Sequence, residues 1–373
     1  MNGGYRVLHT EWSNGFGGQE IRILTECLGM VRRGHRVELA GCPEGKLGRA
    51  CREAGLTFHP LPMAGPWDLV ALRRLRSLLQ RGRFQLVHTH SSVDSWLGGM
   101  AARLAGVCCV RTRHLSVPVR RHPLNFVYRL PQAVVTTGSG IRRHLVEDYG
   151  LPPQRVVSIP TGVDTDRFRP AEPDPALAAE LGFTPAEPVV AMVAVLRSWK
   201  RHDLFCEMAR LVLQKKPHTR FLIVGDGPGW ERINGYLDQM GLRPRVIMTG
   251  HRNDVHRILP LSTVCVLASD QAEGVPQAVL QELACQKAVV AADAGDVGEV
   301  VRHRETGLLV RPGSAKELAR AVLELLDDPE LRRRLGEAGR RLVEGSYSLD
   351  HMLEATEDLY QKVLNGGLGR AAP

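Results

Sequence analysis

The stretch Tyr5–Glu20, YRVLHTEWSNGFGGQE, runs from a β-rich segment through a glycine-bearing loop into a helical pattern. Glycines there let the backbone approach a ligand closely, and a helix start offers free N–H groups to an anion such as a diphosphate. The same pattern also serves as a plain strand-to-helix turn. The unit then repeats. Arg36–Ala40, Thr57–Leu61, Leu86–Thr89, Cys108–Thr112 and Ala133–Thr136 read as strands, and Gly18–Arg33, Trp67–Arg81, Asp94–Leu104 and Ile141–Tyr149 carry helical spacing. Alternation of this kind predicts a parallel sheet covered by helices. Residues 152–188 are proline-rich and read as a connection. Beyond them the alternation restarts with Val189–Val195, Arg220–Val224, Val246–Met248, Val264–Leu267 and Ala288–Ala291, and the tail from Ser314 to Leu364 is helical, with starts at Ser314 and Asp350. The fold class is α/β, as two doubly wound domains facing across a cleft. In such sheets ligands bind beyond the carboxyl ends of the strands.

Composition narrows the function. The chain has 373 residues, 43% hydrophobic and 24% charged, which excludes disorder, collagen and coiled coil. No apolar run approaches the roughly 18 residues of a membrane span. The start MNGGYRVLHTEW lacks the pattern of a secretory signal. The eight cysteines form no CxxC pair, so they read as thiols of a reducing cytosol. The net charge of +9 is unevenly spread: residues 1–170 hold 24 Lys+Arg against 12 Asp+Glu, residues 171–373 hold 25 against 28. All but one of the first 24 are arginine, the exception being Lys46. That excess suits an anionic partner, or is a solvated arginine-rich surface.

Several motifs bear on chemistry. After Val189–Val195 comes Leu196-Arg197-Ser-Trp-Lys200-Arg201-His202, cations at a strand end that suit a pyrophosphate leaving group or form ordinary surface charge. After Val264–Leu267 comes Ser269-Asp-Gln-Ala-Glu273-Gly274-Val275-Pro276, with a helix starting near Pro276. Glu273 at such an edge can accept sugar hydroxyls or simply face a helix dipole. His90 and His114 end two strands and both point toward the cleft, whereas His88 reads as structural; His114, beside Arg111 and Arg113, is the better functional candidate. Gly225-Asp-Gly-Pro-Gly229 imitates a dinucleotide fingerprint without its full spacing, and Gly41–Leu47 is too short for a phosphate loop. Asp164-Thr-Asp166 has the D-x-D pattern of metal-dependent sugar transferases but lies in the connection, so no metal is expected there. HExxH and GxSxG are absent.

Taken in order, GGQE (17–20), PTGVDTDRF (160–168), RSWK (197–200), LIVGDGP (222–228), TGHRND (249–254) and SDQAEGVPQAVLQELA (269–284) resemble family 4 glycosyltransferases of the GT-B fold, over roughly Tyr5 to Leu364. HTHSSVDSW (88–96) and VRTRH (110–114) resemble a bacterial branch building lipopolysaccharide or other envelope polysaccharide. The resemblance implies an acceptor-side domain at 1–168, onto which helix 350–364 packs back, and a nucleotide-sugar-binding domain at 169–349. It implies that Arg197 and Lys200 hold the donor diphosphate, that the Gly17–Gly18 loop closes over it, and that Glu273 contacts the donor sugar, next to Gly274, Val275 and Pro276. His114 would touch a sugar hydroxyl near the anomeric carbon, and Gly250, His251 and Arg252 would border the base. Transfer would retain anomeric configuration, need no metal and no cofactor, and use the leaving phosphate to deprotonate a saccharide or lipid-linked saccharide acceptor. One departure stands out. The family's second glutamate, usually on the ribose, is Gln281 here; Glu282 next to it is turned by about 100° around a helix. The ribose role passes to Gln281, as an uncharged and weaker acceptor.

The basic first half then gains a use. Trp67–Arg83 sets Leu69, Leu72, Leu75 and Leu79 on one face, with arginines mostly elsewhere, so this helix either rests on anionic lipid or packs its leucines in the core. Arg120-Arg121-His122 would extend the patch. The protein is thus expected in the cytoplasm, peripheral on the inner face of the membrane, with no nucleic acid partner. Two rivals remain: a sugar-nucleotide epimerase of the same fold, which needs no acceptor, and a non-enzymatic anionic-surface or nucleic-acid binder, which leaves the strand-end motifs unexplained.

Overall fold

The structure, a computed structural model, describes residues 4–114, 119, 126–184, 186–271 and 273–367. It consists of two α/β units, one formed by residues up to 162 with those from 349 onward, the other by 163–348. The divisions at 162/163 and 348/349 compare with 168/169 and 349/350 expected from sequence.

The first unit runs β1 (Arg6–Glu11), α1 (Gly18–Arg32), β2 (Arg36–Gly41), α2 (Lys46–Glu53), β3 (Phe58–Pro60), α3 (Leu69–Arg81), β4 (Leu86–Thr89), α4 (Ser92–Ala105), β5 (Cys108–Arg113), β6 (Ala133–Thr136), α5 (Ser139–Arg143) and β7 (Val156–Ser158). Its seven strands are parallel, in the order β3-β2-β1-β4-β5-β6-β7. Two of these helices, α3 and α1, start where a side chain satisfies backbone N–H groups of the first turn. Asp68 accepts from the N–H groups of Val70 and Ala71 at 3.0 and 2.9 Å, and the Gly17 N–H donates to the Glu20 carboxylate at 2.7 Å.

The second unit runs α6 (Pro175–Glu180), β8 (Val189–Val193), α7 (His202–Leu213), β9 (Arg220–Val224), α8 (Trp230–Gln239), β10 (Val246–Met248), α9 (Val255–Ile258), β11 (Val264–Leu267), α10 (Gln277–Ala284), β12 (Ala288–Ala292), β13 (Leu308–Val310), α11 (Ala315–Asp327) and α12 (Pro329–Ser346). Its six parallel strands follow the order β10-β9-β8-β11-β12-β13. Both sheets therefore reverse direction once, between β1 and β4 and between β8 and β11. Each reversal leaves a crevice beyond the carboxyl ends of its two strands.

The last helix, α13 (Leu349–Leu364), belongs to the first unit. Met352, Leu353, Leu359, Tyr360 and Val363 are buried in one cluster with Val7, Ile23, Met30 and Leu86. Glu357 pairs with Arg33 at 3.1 Å and His35 at 2.9 Å.

Several expectations shift. The proline-rich connection contains a strand, β7, and a helix, α6, whose Asp174 cap and Pro175 give the prolines a structural use. The helical tail breaks into three, because Asp328 caps a new helix at Pro329 by accepting from Leu331 N–H at 2.8 Å. The helix expected at Ile141–Tyr149 is a short α5 continued by a wide turn, His144–Asp148. In α3 only part of the leucine face is free: Leu75 and Leu79 are fully buried and Leu72 is half-buried, whereas Leu69 is 62% exposed. The leucine stripe packs inward, and only its amino end meets solvent.

The loop Gly225–Gly229 fixes the chain after β8. It lies against the backbone of residues 194–196, with Leu196 N–H donating to Asp226 O at 3.0 Å and Gly229 N–H to Leu196 O at 2.8 Å. A Cβ on Gly225, whose φ is +149°, would stand 2.0 Å from the Ala194 oxygen. Gly225→Ala should therefore cost about 2–3 kcal/mol or more of stability. Gly235→Ala, inside α8 with open space around it, should be neutral or stabilising by up to about 1 kcal/mol. Chemical denaturation of both variants checks the contrast.

Candidate functional site

At the reversal in the second unit, β8 runs through buried Leu196 to exposed Arg197, then a tight turn, Ser198–Lys200, and Arg201 at φ +54°, which opens α7. The loop after β11 lies alongside, with Asp270 N–H donating to Trp199 O at 3.1 Å. The two loops bring Lys200 and Glu273 into an ion pair, Nζ to Oε1 at 2.7 Å, with both side chains about 15% exposed. Glu273 is held from behind, since its carbonyl accepts from Asp296 N–H at 2.9 Å. Arg197 stays exposed, its guanidinium 5.1 Å from the Trp199 ring. Arg201 bonds Asp203 at 2.9 Å and Asp270 at 2.5 Å, so it ties loops together.

The remaining residues expected in this unit flank that pair. Gly274 is half-buried, Val275 and Pro276 are buried, and Pro276 caps α10. Gln281 is half-buried on α10. Glu282, one position on, turns into the interior, 2% exposed. Burial pushes its carboxyl well above the usual range, opposed by the charge of Lys200. Gly250 (φ +73°) accepts from Gly225 N–H at 3.0 Å, so the Gly225–Gly229 loop braces this loop too. His251 is exposed and contacts Asn253 at 3.0 Å. Arg252 bonds both oxygens of Asp254 at 2.7–2.8 Å, and Glu180 at 2.7 Å. The Asp164-Thr-Asp166 motif forms a turn in which Asp164 accepts from the N–H groups of Asp166 and Arg167.

At the reversal in the first unit, the Gly17–Gly18 turn follows β1. Glu11, at the end of β1, accepts from Ser13 N–H at 2.7 Å and from the Gln19 amide at 2.6 Å. Burial, then the nearby Asp94, raises its carboxyl above the usual range. Asp94 in turn accepts from Thr10 Oγ1 at 2.9 Å and His90 N–H at 2.8 Å. Sequence reasoning did not single out Glu11; its signal was a carboxylate directly before the glycine loop.

His90 does not point outward, contrary to expectation. It is 3% exposed and sits inside a chain of imidazoles: His9 Nδ1 to His90 Nε2 at 2.9 Å, and His90 Nδ1 to His114 Nε2 at 3.2 Å. His88, read as structural, is buried between the Tyr360 hydroxyl at 2.6 Å and Thr112 Oγ1 at 2.7 Å. His114 is half-buried at the end of β5. Arg111 is buried with its guanidinium 4.1 Å from the Tyr128 ring, so it is not a surface cation beside His114. Burial lowers the basicity of all three chain members, His9 to about 3 and His90 and His114 well below the usual range. They are neutral at pH 7. His9, His88 and His90 each offer a ring nitrogen within 4.8 Å of the others, the one such group of three found among the described residues. The 2.9 Å spacing of His9 and His90 is itself a hydrogen bond, and His88 uses both nitrogens elsewhere.

Comparison with known proteins decides the class. A model described as Glycosyltransferase Family 4 matches residues 16–167, and one described as Glycosyl transferases group 1 matches 174–342. Alpha-maltose-1-phosphate synthase of Mycolicibacterium smegmatis is 30% identical over 309 residues, 74% of this chain and 79% of that protein. The chain belongs to the family 4 glycosyltransferases. This glycosyltransferase is also 29% identical over 308 residues, 79% of each chain, to the UDP-Gal:alpha-D-GlcNAc-diphosphoundecaprenol alpha-1,3-galactosyltransferase of Escherichia coli. In fold it matches a Rickettsia africae glycosyltransferase (TM-score 0.86, 20% identity, 97% and 99% of the two chains). It likewise matches Anabaena HepE in complex with UDP-glucose (TM-score 0.84, 18% identity, 96% and 99%). Both are GT-B neighbours, so the two sheets described above are the GT-B pair.

The glycosyltransferase's Glu282 gives a pH test. A carboxyl with a raised pKa keeps a proton in the folded state that the unfolded chain releases, so its contribution to stability falls as pH rises above the ordinary carboxylate range. Glu282→Gln removes that proton. The melting temperature of the variant relative to the parent should therefore rise between pH 5 and pH 8; a constant difference would place Glu282 in a solvated setting.

Proposed function

We propose that this glycosyltransferase moves a sugar from a nucleoside-diphosphate donor, UDP- or GDP-linked, to a saccharide or lipid-linked saccharide acceptor in building lipopolysaccharide or another envelope polysaccharide. The observation that carries this is the Lys200–Glu273 ion pair beside exposed Arg197 at the reversal of the second sheet. Arg197 and Lys200 supply positive charge for a departing diphosphate, which is the work a divalent ion does elsewhere, so the reaction is proposed to proceed without metal or cofactor. Glu273, anchored by Lys200, is an acceptor for donor-sugar hydroxyls, and Gln281 for ribose hydroxyls. Gly250, His251 and Arg252 border the base, the Gly17–Gly18 turn covers the diphosphate, and His114 receives a hydroxyl near the anomeric carbon. Transfer is proposed to retain configuration, with the leaving phosphate oxygen taking the acceptor's proton on the same face. The names of the relatives, a UDP-Gal enzyme and a UDP-glucose complex, favour UDP.

Binding of UDP or GDP should raise the melting temperature, with or without magnesium, while CMP, ADP and NAD should not. Arg197→Ala and Glu273→Ala should each lower turnover roughly 10²-fold with folding intact. Near-normal turnover in either variant would remove that residue from the site.

Membrane attachment is part of the proposal, in altered form. Among the described residues no helix is long and apolar enough to cross a membrane. At the amino end of α3, Trp67, Leu69 and Val70 are 66%, 62% and 57% exposed, next to exposed Arg73, Arg74 and Arg76. Aromatic and aliphatic side chains ringed by cations suit the anionic leaflet facing the cytoplasm, each nearby cation contributing about 1 kcal/mol. Arg120, Arg121 and His122 lie outside the described residues. The protein should sediment with phosphatidylglycerol vesicles, less so at raised salt and less so as Trp67→Ser. No sedimentation, or sedimentation indifferent to both, would argue against this attachment.

A further inference from the structure

The first unit holds more buried titratable groups than a sheet interior needs. His9, Glu26, His88, His90 and Tyr360 are each at most 3% exposed, and all join one network. We propose that the imidazole chain His9–His90–His114, closed at its inner end by Tyr360 and Glu26, fixes His114 as the tautomer protonated at Nε2 and leaves its Nδ1 as a bare hydrogen-bond acceptor. His9, His90, Tyr360 and Glu26 are then positioning residues for His114. Their value to catalysis rests on the transfer reading above, but the tautomer itself does not.

The direction follows from counting protons. Glu26 is a carboxylate: burial alone would raise its pKa, but hydrogen bonding to His88 and the charge of Arg22 hold it well below the usual range. A carboxylate only accepts. The Tyr360 hydroxyl has one proton and lies 3.4 Å from Glu26 Oε1, 2.6 Å from His88 Nδ1 and 3.4 Å from His9 Nε2. Given to Glu26, that proton leaves the Tyr360 oxygen to accept from His88 Nδ1–H and His9 Nε2–H. His88 Nε2 then accepts from the Thr112 hydroxyl. A neutral imidazole has a single N–H, so His9 Nδ1 must accept, and His90 Nε2 must donate to it. By the same step His90 Nδ1 accepts from His114 Nε2–H, and His114 Nδ1 is left bare.

The opposite direction sets a bare His9 Nε2 against the Tyr360 oxygen, and pairing that nitrogen takes the Tyr360 hydroxyl proton. It strips the hydroxyl proton from a buried carboxylate that already has few donors, its Oε2 lying 3.6 Å from Arg22 Nε. Losing a donor to a buried charge is the costlier choice. Aligned donors also polarise one another toward Glu26, which strengthens His114 Nδ1 as an acceptor for a hydroxyl. A metal is the competing use of His9, His88 and His90, and zinc is the probe that separates the two.

The test uses the full chain with ¹⁵N-labelled histidine. Long-range ¹H–¹⁵N correlation spectra report which nitrogen of each ring carries the proton, and His114→Gln assigns the His114 signals. His114 and His90 are expected with the proton on Nε2, and His9 likewise. In Tyr360→Phe, which removes one oxygen from the network, the second tautomer of His114 should appear. A wild-type His114 protonated at Nδ1 would overturn the proposal without any variant. So would an unchanged tautomer in a folded Tyr360→Phe, or stoichiometric zinc binding that shifts His9, His88 and His90 together. With a donor that turns over, Tyr360→Phe should lower kcat roughly tenfold or more while leaving the donor's KM unchanged, the usual scale for outer-shell partners. A normal kcat in a variant whose tautomer had shifted would overturn the positioning role. A wild-type protein that transfers no sugar would sink the proposed function and leave the tautomer result standing.

Discussion

In a parallel sheet every strand ends at the same edge, and that constraint organises both units. Helical crossovers return each chain to the same starting side, so the loops that follow the strands gather at one rim. Where the strand order reverses, two neighbouring crossovers leave in opposite directions and the loops part. In the second unit the parted loops are those after β8 and β11, which contribute Lys200 and Glu273. In the first unit they are those after β1 and β4, which contribute the glycine turn and the Ser91–Asp94 start of α4. Residues more than 70 positions apart in the chain meet because the topology leaves them nowhere else to go.

What holds the meeting place is backbone packing. The Gly225–Gly229 loop lies within van der Waals contact of residues 194–196 and hydrogen-bonds both Leu196, just before the RSWK segment, and Gly250. A side chain at Gly225 or Gly227 would push these loops apart. The glycines that resembled a dinucleotide fingerprint thus act on the protein's own backbone. The arginines of the site divide in the same manner. Arg201 and Arg252 are each occupied by a carboxylate two residues on, Asp203 and Asp254, and by a distant one, Asp270 and Glu180, while Arg197 remains exposed.

Polar burial separates the two units. Around the second unit's site, the buried carboxyl Glu282 lies within reach of the charge of Lys200 and is turned away from the solvent that Gln281 partly meets. In the first unit three histidines, a tyrosine and a glutamate are brought together beneath His114. The closing member, Tyr360, arrives on α13, a helix that follows the whole second unit in sequence yet packs into the first.

The sequence alone determined the fold class and most strands to within a residue or two, and it singled out the strand-end residues Arg197, Lys200 and Glu273 that the second unit's loops carry. Strand alternation, glycine loops and strand-end charges are local patterns, and a parallel sheet converts local order into position. The Glu282 offset from Gln281 was also legible, being a matter of helix period. Only the tertiary structure decided which polar groups are buried and with whom. His90 looked like a strand-end ligand, but β4 pairs with β1 so that His9 stands opposite His88, and burial then turns all of them into one network. Leu72, Leu75 and Leu79 looked equally fit for lipid or core, and packing against the sheet took them inward. The short strand β7 and helix α6 were hidden by prolines whose role at helix starts depends on the neighbours they meet. Long-range pairing and burial are properties of the packed chain, and no window of sequence contains them.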